Sequence, residues 1–269
     1  LWDGSPHAWL EARGPTGCLV GAMDDATGRL LPGAAFVPAE DTVSYLRLLR
    51  TLVATCGIPV SLYMDRHGIF RRNDTAWTIE EELRGRQDPT QVGRALEGLG
   101  IEPIYALSPQ AKGRIERLWG TLQDRLVAEL RLAGIATLER ATAFLAAFTA
   151  QFNARFARPA VETTPAWRPV PAGVDLERIC SLYTEATVLN DNTVCVDGTT
   201  LQIPPGPGGR GYAKAHVEVR QLLEGTWRVY HQDRLLATAA GTGPPHRSLP
   251  RRKYSAGRSR GPHPPRAPG

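Results

Sequence analysis

The residues of this chain best equipped for chemistry are three carboxylates near element ends. Asp3 follows Leu1 and Trp2 and precedes Gly4. Asp65 closes the apolar run VSLYM at 60–64, and Glu116 falls near the start of a long amphipathic stretch. Acids at strand ends and helix starts can converge at one edge of a sheet, and such hard oxygen donors suit Mg²⁺ or Mn²⁺. Two such ions about 3.5–4 Å apart activate a water or a 3′-hydroxyl and stabilise the leaving oxygen. Each acid alone also has an ordinary explanation. An Asp at a strand end serves as a turn or cap residue, and an acid early in a helix answers the dipole. Asp24 and Asp25 are rivals, read here as turn residues. Spacing alone does not select three acids from the 27 in the chain.

Basic and polar residues stand near these acids. Lys112 lies four residues before Glu116, so the two share a helix face; an ammonium there can hold a DNA phosphate. Arg114 and Arg117 flank Glu116 and suit the same task. His67 follows Asp65 closely, and Arg71 and Arg72 are candidate DNA contacts in the segment beyond it. His7 is a weaker candidate of the same kind. For each the bland alternative is a solvated side chain. Trp119 sits beside an apolar stripe and is read as core. Gly120 leaves room for backbone or DNA.

Positioning these groups takes a mixed α/β frame. Residues 16–23 read as a buried strand, 24–29 as a turn and 30–37 as a returning strand with Pro32 and Gly33 at an edge or bulge. A helix over 40–56 has Glu40 and Asp41 at its start and Val43, Leu46, Leu49 and Val53 on one face. Gly57 and Pro59 end it. The strand 60–64 then leads to Asp65. Residues 66–89 are polar and aperiodic and read as a long loop or partly helical insertion. A short helix over 90–99, a strand over 101–106 and a helix over about 113–133 follow. Ile115, Leu118, Leu122, Leu126 and Leu130 form the stripe of that helix. A further helix spans about 138–155, with Leu138, Ala141, Leu145, Phe148 and Phe152 inward. Prolines at 159, 165, 169 and 171 predict a linker within 157–175. Short strands and tight turns over 185–240 predict a small β-barrel.

Charge is unevenly shared. The chain of 269 residues carries a net +5, but residues 241–269 hold seven basic residues and no acid, leaving the first 240 at −2. Any nucleic-acid surface on the folded part must therefore be local, and the Pro/Arg-rich tail is expected to be disordered. No apolar run approaches the roughly 18 residues of a membrane span, and no signal peptide is evident. The four cysteines, Cys18, Cys56, Cys180 and Cys195, form no C-x-x-C pair, which argues against a zinc ribbon and for reduced thiols in a cytoplasm.

Four segments resemble the catalytic core of bacterial insertion-sequence transposases of the retroviral-integrase type: DGSPHAWLEARG at 3–14, MDDATGRLL at 23–31, LYMDRHGIFR at 62–71 and SPQAKGRIERLWGTLQDRLVAELRLAGI at 108–135. FNARFARPAVETTPAW at 152–167 is similar to the segment that closes such domains. The resemblance covers about residues 1–170. It implies an RNase H-like mixed five-stranded sheet with flanking helices; beyond that core the composition places a linker at 171–184, the barrel at 185–240 and the tail at 241–269. It implies that Asp3, Asp65 and Glu116 form a DDE triad holding two Mg²⁺ ions, for which Mn²⁺ can substitute, the first acid bridging both. The implied reaction is two-step phosphoryl transfer on element-end and target DNA by a homo-oligomer in the bacterial cytoplasm, at the nucleoid. The 51-residue gap from Asp65 to Glu116 exceeds that of retroviral integrases, and the Arg-rich segment 66–89 accounts for the excess.

Two rival functions stay open at the level of sequence: an RNase H-like nuclease that cleaves without joining, and a dead transposon remnant that still binds DNA. The chain begins with Leu, and only two residues precede Asp3. The resemblance would make the strand ending at Asp3 central in the sheet. Losing most of it would leave buried backbone groups unpaired, so the chain is expected to be truncated and weakly stable or inactive.

Overall fold

A computed structural model describes residues 1–106, 113–162 and 164–241. Lys112 and the tail from 242 onward lie outside the described residues. In chain order the elements are β1 (Trp2–His7), β2 (Gly17–Ala22), β3 (Ala35–Val37), α1 (Thr42–Cys56), β4 (Ile58–Pro59), β5 (Ser61–Met64), α2 (Ile79–Arg84), α3 (Gln91–Leu99), β6 (Glu102–Tyr105), α4 (Gly113–Leu132), α5 (Leu138–Phe156), β7 (Trp167–Arg168) and α6 (Leu176–Ile179). Six strands follow: β8 (Leu182–Thr187), β9 (Thr193–Val196), β10 (Thr199–Gln202), β11 (His216–Gln221), β12 (Trp227–His231) and β13 (Arg234–Ala239). The chain is thus mixed α/β, with no described helix long and apolar enough to cross a membrane.

β2 explains the layering. All six of its residues are buried, and side chains alternate between the faces of a strand. Cys18, Val20 and Ala22 join Trp2 and the inner stripe of α1 in one core. Leu19 points the other way, into a second core with Trp9, Phe36 and the apolar faces of α4 and α5. A strand covered on both sides needs no polar alternation, which is why GCLVGA is almost continuously apolar.

β1, β2 and β3 form an antiparallel sheet, and β5 and β6 form a parallel pair. β1 packs beside β5, but no ladder joins them among the described residues. The expected five strands are therefore hydrogen-bonded as two separate sheets. β1 also corrects the expectation that its strand ends at Asp3. It runs from Trp2 to His7, with Asp3 opposite Gly21 and every residue in register with β2. The strand expected over 30–37 shrinks to three residues; Leu30 only bridges to Met23, because Pro32 and Gly33 interrupt the run.

Residues 66–89 are irregular apart from the six-residue α2. The segment 171–184, expected as a linker, contains α6 and the start of β8. Cys180 is fully buried in the α1 core, where Val174, Leu176 and Ile179 also pack. Apolar residues every few positions make that stretch a docking segment despite Pro171 at its start. Beyond it, a four-stranded antiparallel sheet (β13-β12-β11-β8) and the β9-β10 hairpin share a third core around Val194, Val219 and Val229.

Candidate active site

The strand of Asp3 and the helix of Glu116 are locked together by two polar contacts. The Trp119 indole N–H donates to Asp3 Oδ2 at 3.0 Å. Gln123 Nε2 donates to Ser5 Oγ at 3.1 Å. Asp3 and Ser5 are two residues apart on one face of β1, about 6.8 Å along a strand. Trp119 and Gln123 are four apart on α4, about 6 Å along a helix. The two repeats nearly match, so the contacts fix both the position and the direction of α4 on the sheet. Gly21 makes the fit possible: a Cβ there would stand 3.0 Å from the Trp119 ring. Glu116, one turn before Trp119, is consequently carried past the level of Asp3 and lies exposed at the rim.

Asp65 leaves the end of β5 half-buried. Its Oδ1 accepts from the His67 amide at 2.9 Å, a local turn that suits Asp. The His67 carbonyl in turn accepts from the amides of Phe70 and Arg71. Phe70 then plunges into the core, edge-on to Tyr45 of α1 at 4.6 Å and 6.3 Å from Trp2. Trp2 and Tyr45 stack at 5.8 Å. One aromatic cluster therefore anchors the residue before Asp3 and the loop after Asp65 to the same helix.

The described residues contain no group of three or more His, Cys, Asp or Glu side chains arranged to hold a metal ion. Asp3, Asp65 and Glu116 match a hard divalent cation in donor chemistry. In position, they are organised by neighbouring elements without closing into a ligand cluster.

Sequence reasoning misses one acid. Its position places Glu40 at the start of a helix, but Asp41 takes the cap, in a reciprocal box with Ser44. Glu40 instead folds over Gly4, where its Oε2 would lie 2.6 Å from any Cβ. The Tyr45 hydroxyl donates to it at 2.7 Å. Burial, then the charges of Glu40 and Asp3, push the Cys18 thiol up to about 12, so this thiol is no nucleophile. Burial and Glu40 push the Tyr45 hydroxyl up as well. The signal available in the sequence is Gly4, a strand glycine marking close approach.

The candidate DNA contacts separate into three kinds. His67, Arg71, Arg114 and Arg117 are exposed. His67 Nδ1 accepts from the Ile69 amide at 3.4 Å, and the Arg71 guanidinium lies 5.4 Å from the centre of the Tyr105 ring. Arg114 pairs with Asp25 Oδ1 at 3.0 Å. Arg72 is different, because its guanidinium is turned inward to Glu81, Asp74 and the Ala76 carbonyl. A side chain with these acceptors holds the 72–88 segment together and is not presented to a phosphate. Lys112 falls outside the described residues. His7 meets Trp9 edge-on at 5.2 Å.

Glu81, Arg72's partner, is fully buried. Burial alone would raise its carboxyl, but hydrogen bonds from the Thr78 and Asp88 amides and from Arg72 outweigh it and bring the pKa down to about 2. A lowered folded pKa stabilises the fold above the unfolded value and loses that effect as pH falls. The stability gap between wild type and Glu81→Gln, read from urea midpoints, should therefore be full above about pH 4.5 and close toward about pH 2. A gap constant across that window would refute the assignment.

No family model matches the chain. A Sinorhizobium fredii (strain NBRC 101917 / NGR234) protein named "Putative transposase y4bF" is 33% identical over 250 residues, covering 88% of this chain and 53% of that protein. The "Transposase for insertion sequence IS1202" of Streptococcus pneumoniae is 40% identical over 155 residues, 57% of this chain and 32% of that protein. The chain spans about half the length of the first relative and a third of the second. A solved simian T-cell lymphotropic virus intasome in complex with PP2A regulatory subunit B56 gamma has a chain 14% identical, covering 93% of this chain and 78% of that one, with a TM-score of 0.40. A likeness of that size does not establish a shared fold. The two sequence matches are the finding: over the stretch it shares with them, this chain is similar to bacterial proteins named as transposases, one of them for an insertion sequence.

Proposed function

We propose that this chain is the catalytic core of a DDE-type DNA transposase with an RNase H-like fold. The observation that carries the reading is the Trp119–Asp3 hydrogen bond, which ties the strand of the first acid to the helix of the third. The strand order β3-β2-β1 with β5 and β6 alongside supports the same reading. Asp3, Asp65 and Glu116 would hold two Mg²⁺ ions, or Mn²⁺ in their place. Bound there, the ions would activate the attacking oxygen and stabilise the leaving one.

Asp3 holds its carboxylate in place through Trp119, and Asp65 through the His67 turn, so neither has to be ordered when DNA arrives. In the first step a water oxygen bonds to the phosphorus at the element end and the 3′-oxygen leaves as a hydroxyl. In the second, that 3′-oxygen attacks a target phosphorus and displaces the target's own 3′-oxygen. No enzyme–DNA covalent bond is required. DNA ends and target are the substrates, a homo-oligomer on paired ends is the acting form, and the bacterial cytoplasm is the setting.

The test is strand transfer from a pre-cut element-end oligonucleotide into a plasmid, with the end sequences taken from DNA flanking the gene. Joined product is expected with Mn²⁺ and should vanish on chelation. Joining that survives chelation would overturn the metal assignment. Cleavage without joining would make the chain a nuclease, and DNA binding without either step a remnant.

A further inference from the structure

A second feature of the surface points to where the DNA runs. The 26–28 turn, the first turns of α4 and the end of α5 enclose a groove of about 280 Å³. Among the described residues, Leu118, Phe152 and Phe156 line it, together with Arg114, Arg117 and Arg158, and no carboxylate does. Three guanidiniums on one groove repel one another. Two of them, Arg114 and Arg117, also stand in the first turns of a 20-residue helix, the end where a cation is disfavoured and an anion favoured. Asp25 already answers Arg114; an anion in the groove would offset the charge of the other two.

The groove is also built firmly. Asn153 of α5 accepts from the Leu30 amide at 2.9 Å and donates to the Leu30 carbonyl at 2.8 Å. The Arg158 amide donates to the Thr27 carbonyl at 2.9 Å. The 24–30 turn is thereby fastened to the end of α5, and the spacing of Arg158 from α4 is set before any ligand binds. Among the described residues, Arg117 and Arg158 form no side-chain ion pair, whereas Arg114 is held by Asp25 at 3.0 Å.

We propose that this groove binds backbone phosphates of a DNA strand leaving the Asp3–Asp65–Glu116 site, with Arg117 and Arg158 as standing contacts. Asp25 is a competitor: a phosphate must draw Arg114 away from it. The proposal rests on the reading of DNA as substrate. It gives Asp25 a function that its place in a turn did not suggest.

The experiment is fluorescence anisotropy with a labelled element-end duplex at stepped salt, on the whole chain, so that the basic tail is common to every variant. The double variant Arg117→Gln/Arg158→Gln should bind about ten-fold more weakly and lower the salt slope by about 1 for each arginine removed. Asp25→Asn should bind about two- to three-fold more tightly, because its charge no longer competes. Arg140→Gln, an exposed arginine elsewhere, should match wild type, and thermal melts should agree for all. Wild-type affinity in the double variant, or an equal weakening in Arg140→Gln, would overturn the groove while leaving the transposase reading intact. A wild-type chain that fails to bind DNA even at low salt would overturn both.

Discussion

Glu116→Gln should lower strand transfer by on the order of 10³-fold, about 4 kcal/mol of transition-state stabilisation, without moving the melting temperature. The substitution keeps shape and removes charge. A neutral amide is a weaker ligand for a hard dication than a carboxylate, because it lacks the charge, so a residue whose task is to hold a metal is impaired when it becomes an amide. Stability should not follow, because Glu116 is exposed and surface substitutions usually stay within about 0.5 kcal/mol. Glu129→Gln, exposed on the same helix, separates a general effect of charge on α4 from one at the site; it should join DNA at the wild-type rate. Full activity in Glu116→Gln would remove this residue from the triad. Loss in both variants would show that net charge, not metal binding, was being read.

Periodicity makes the helical frame legible. Ile115, Leu118, Leu122, Leu126 and Leu130 are all buried on α4, as are Leu138, Ala141, Leu145, Phe148 and Phe152 on α5. A period of 3.6 reports which face is covered and says nothing about what covers it. That is why Trp119 can be read as core while its hydrogen bond to Asp3, across 116 residues, cannot. Arg72 illustrates the opposite failure. An arginine in a polar segment reads as a surface charge, yet its acceptor Glu81 is announced by Thr78-Ile79-Glu80-Glu81, the signature of a capping box. The box is present, with Glu81 reaching back to the Thr78 amide at 2.8 Å. The segment 171–184 misleads for a similar reason: Pro171 and the prolines just before it mark breaks in regular structure, and breaks do not prevent docking when Val174, Leu176 and Ile179 offer apolar area.

The aromatic cluster carries the largest expected effect on stability. Phe70 is 3% exposed and touches both Tyr45 and Trp2. Phe70→Ala should cost about 3–5 kcal/mol from reduced burial and the cavity left behind. Phe70→Leu, which keeps much of the volume, should cost far less. Activity gives the more informative reading. Phe70 lies five residues beyond Asp65, on a loop otherwise held by the His67 turn and by the hydrogen bonds that the Tyr105 and Thr90 hydroxyls donate to the Phe70 carbonyl, at 3.3 and 3.2 Å. Without the ring, Asp65 loses its tether to the helix that also anchors Trp2, beside Asp3. A misplacement of about 1 Å can cost on the order of 10²-fold. Strand transfer by Phe70→Ala, measured well below its melting temperature, should therefore fall by about that factor although the ring is remote from the reacting atoms. Phe70→Leu should recover most of it. If Phe70→Ala melts early yet joins DNA at full rate while folded, the cluster supports the core only, and Asp65 is positioned by its own turn with His67.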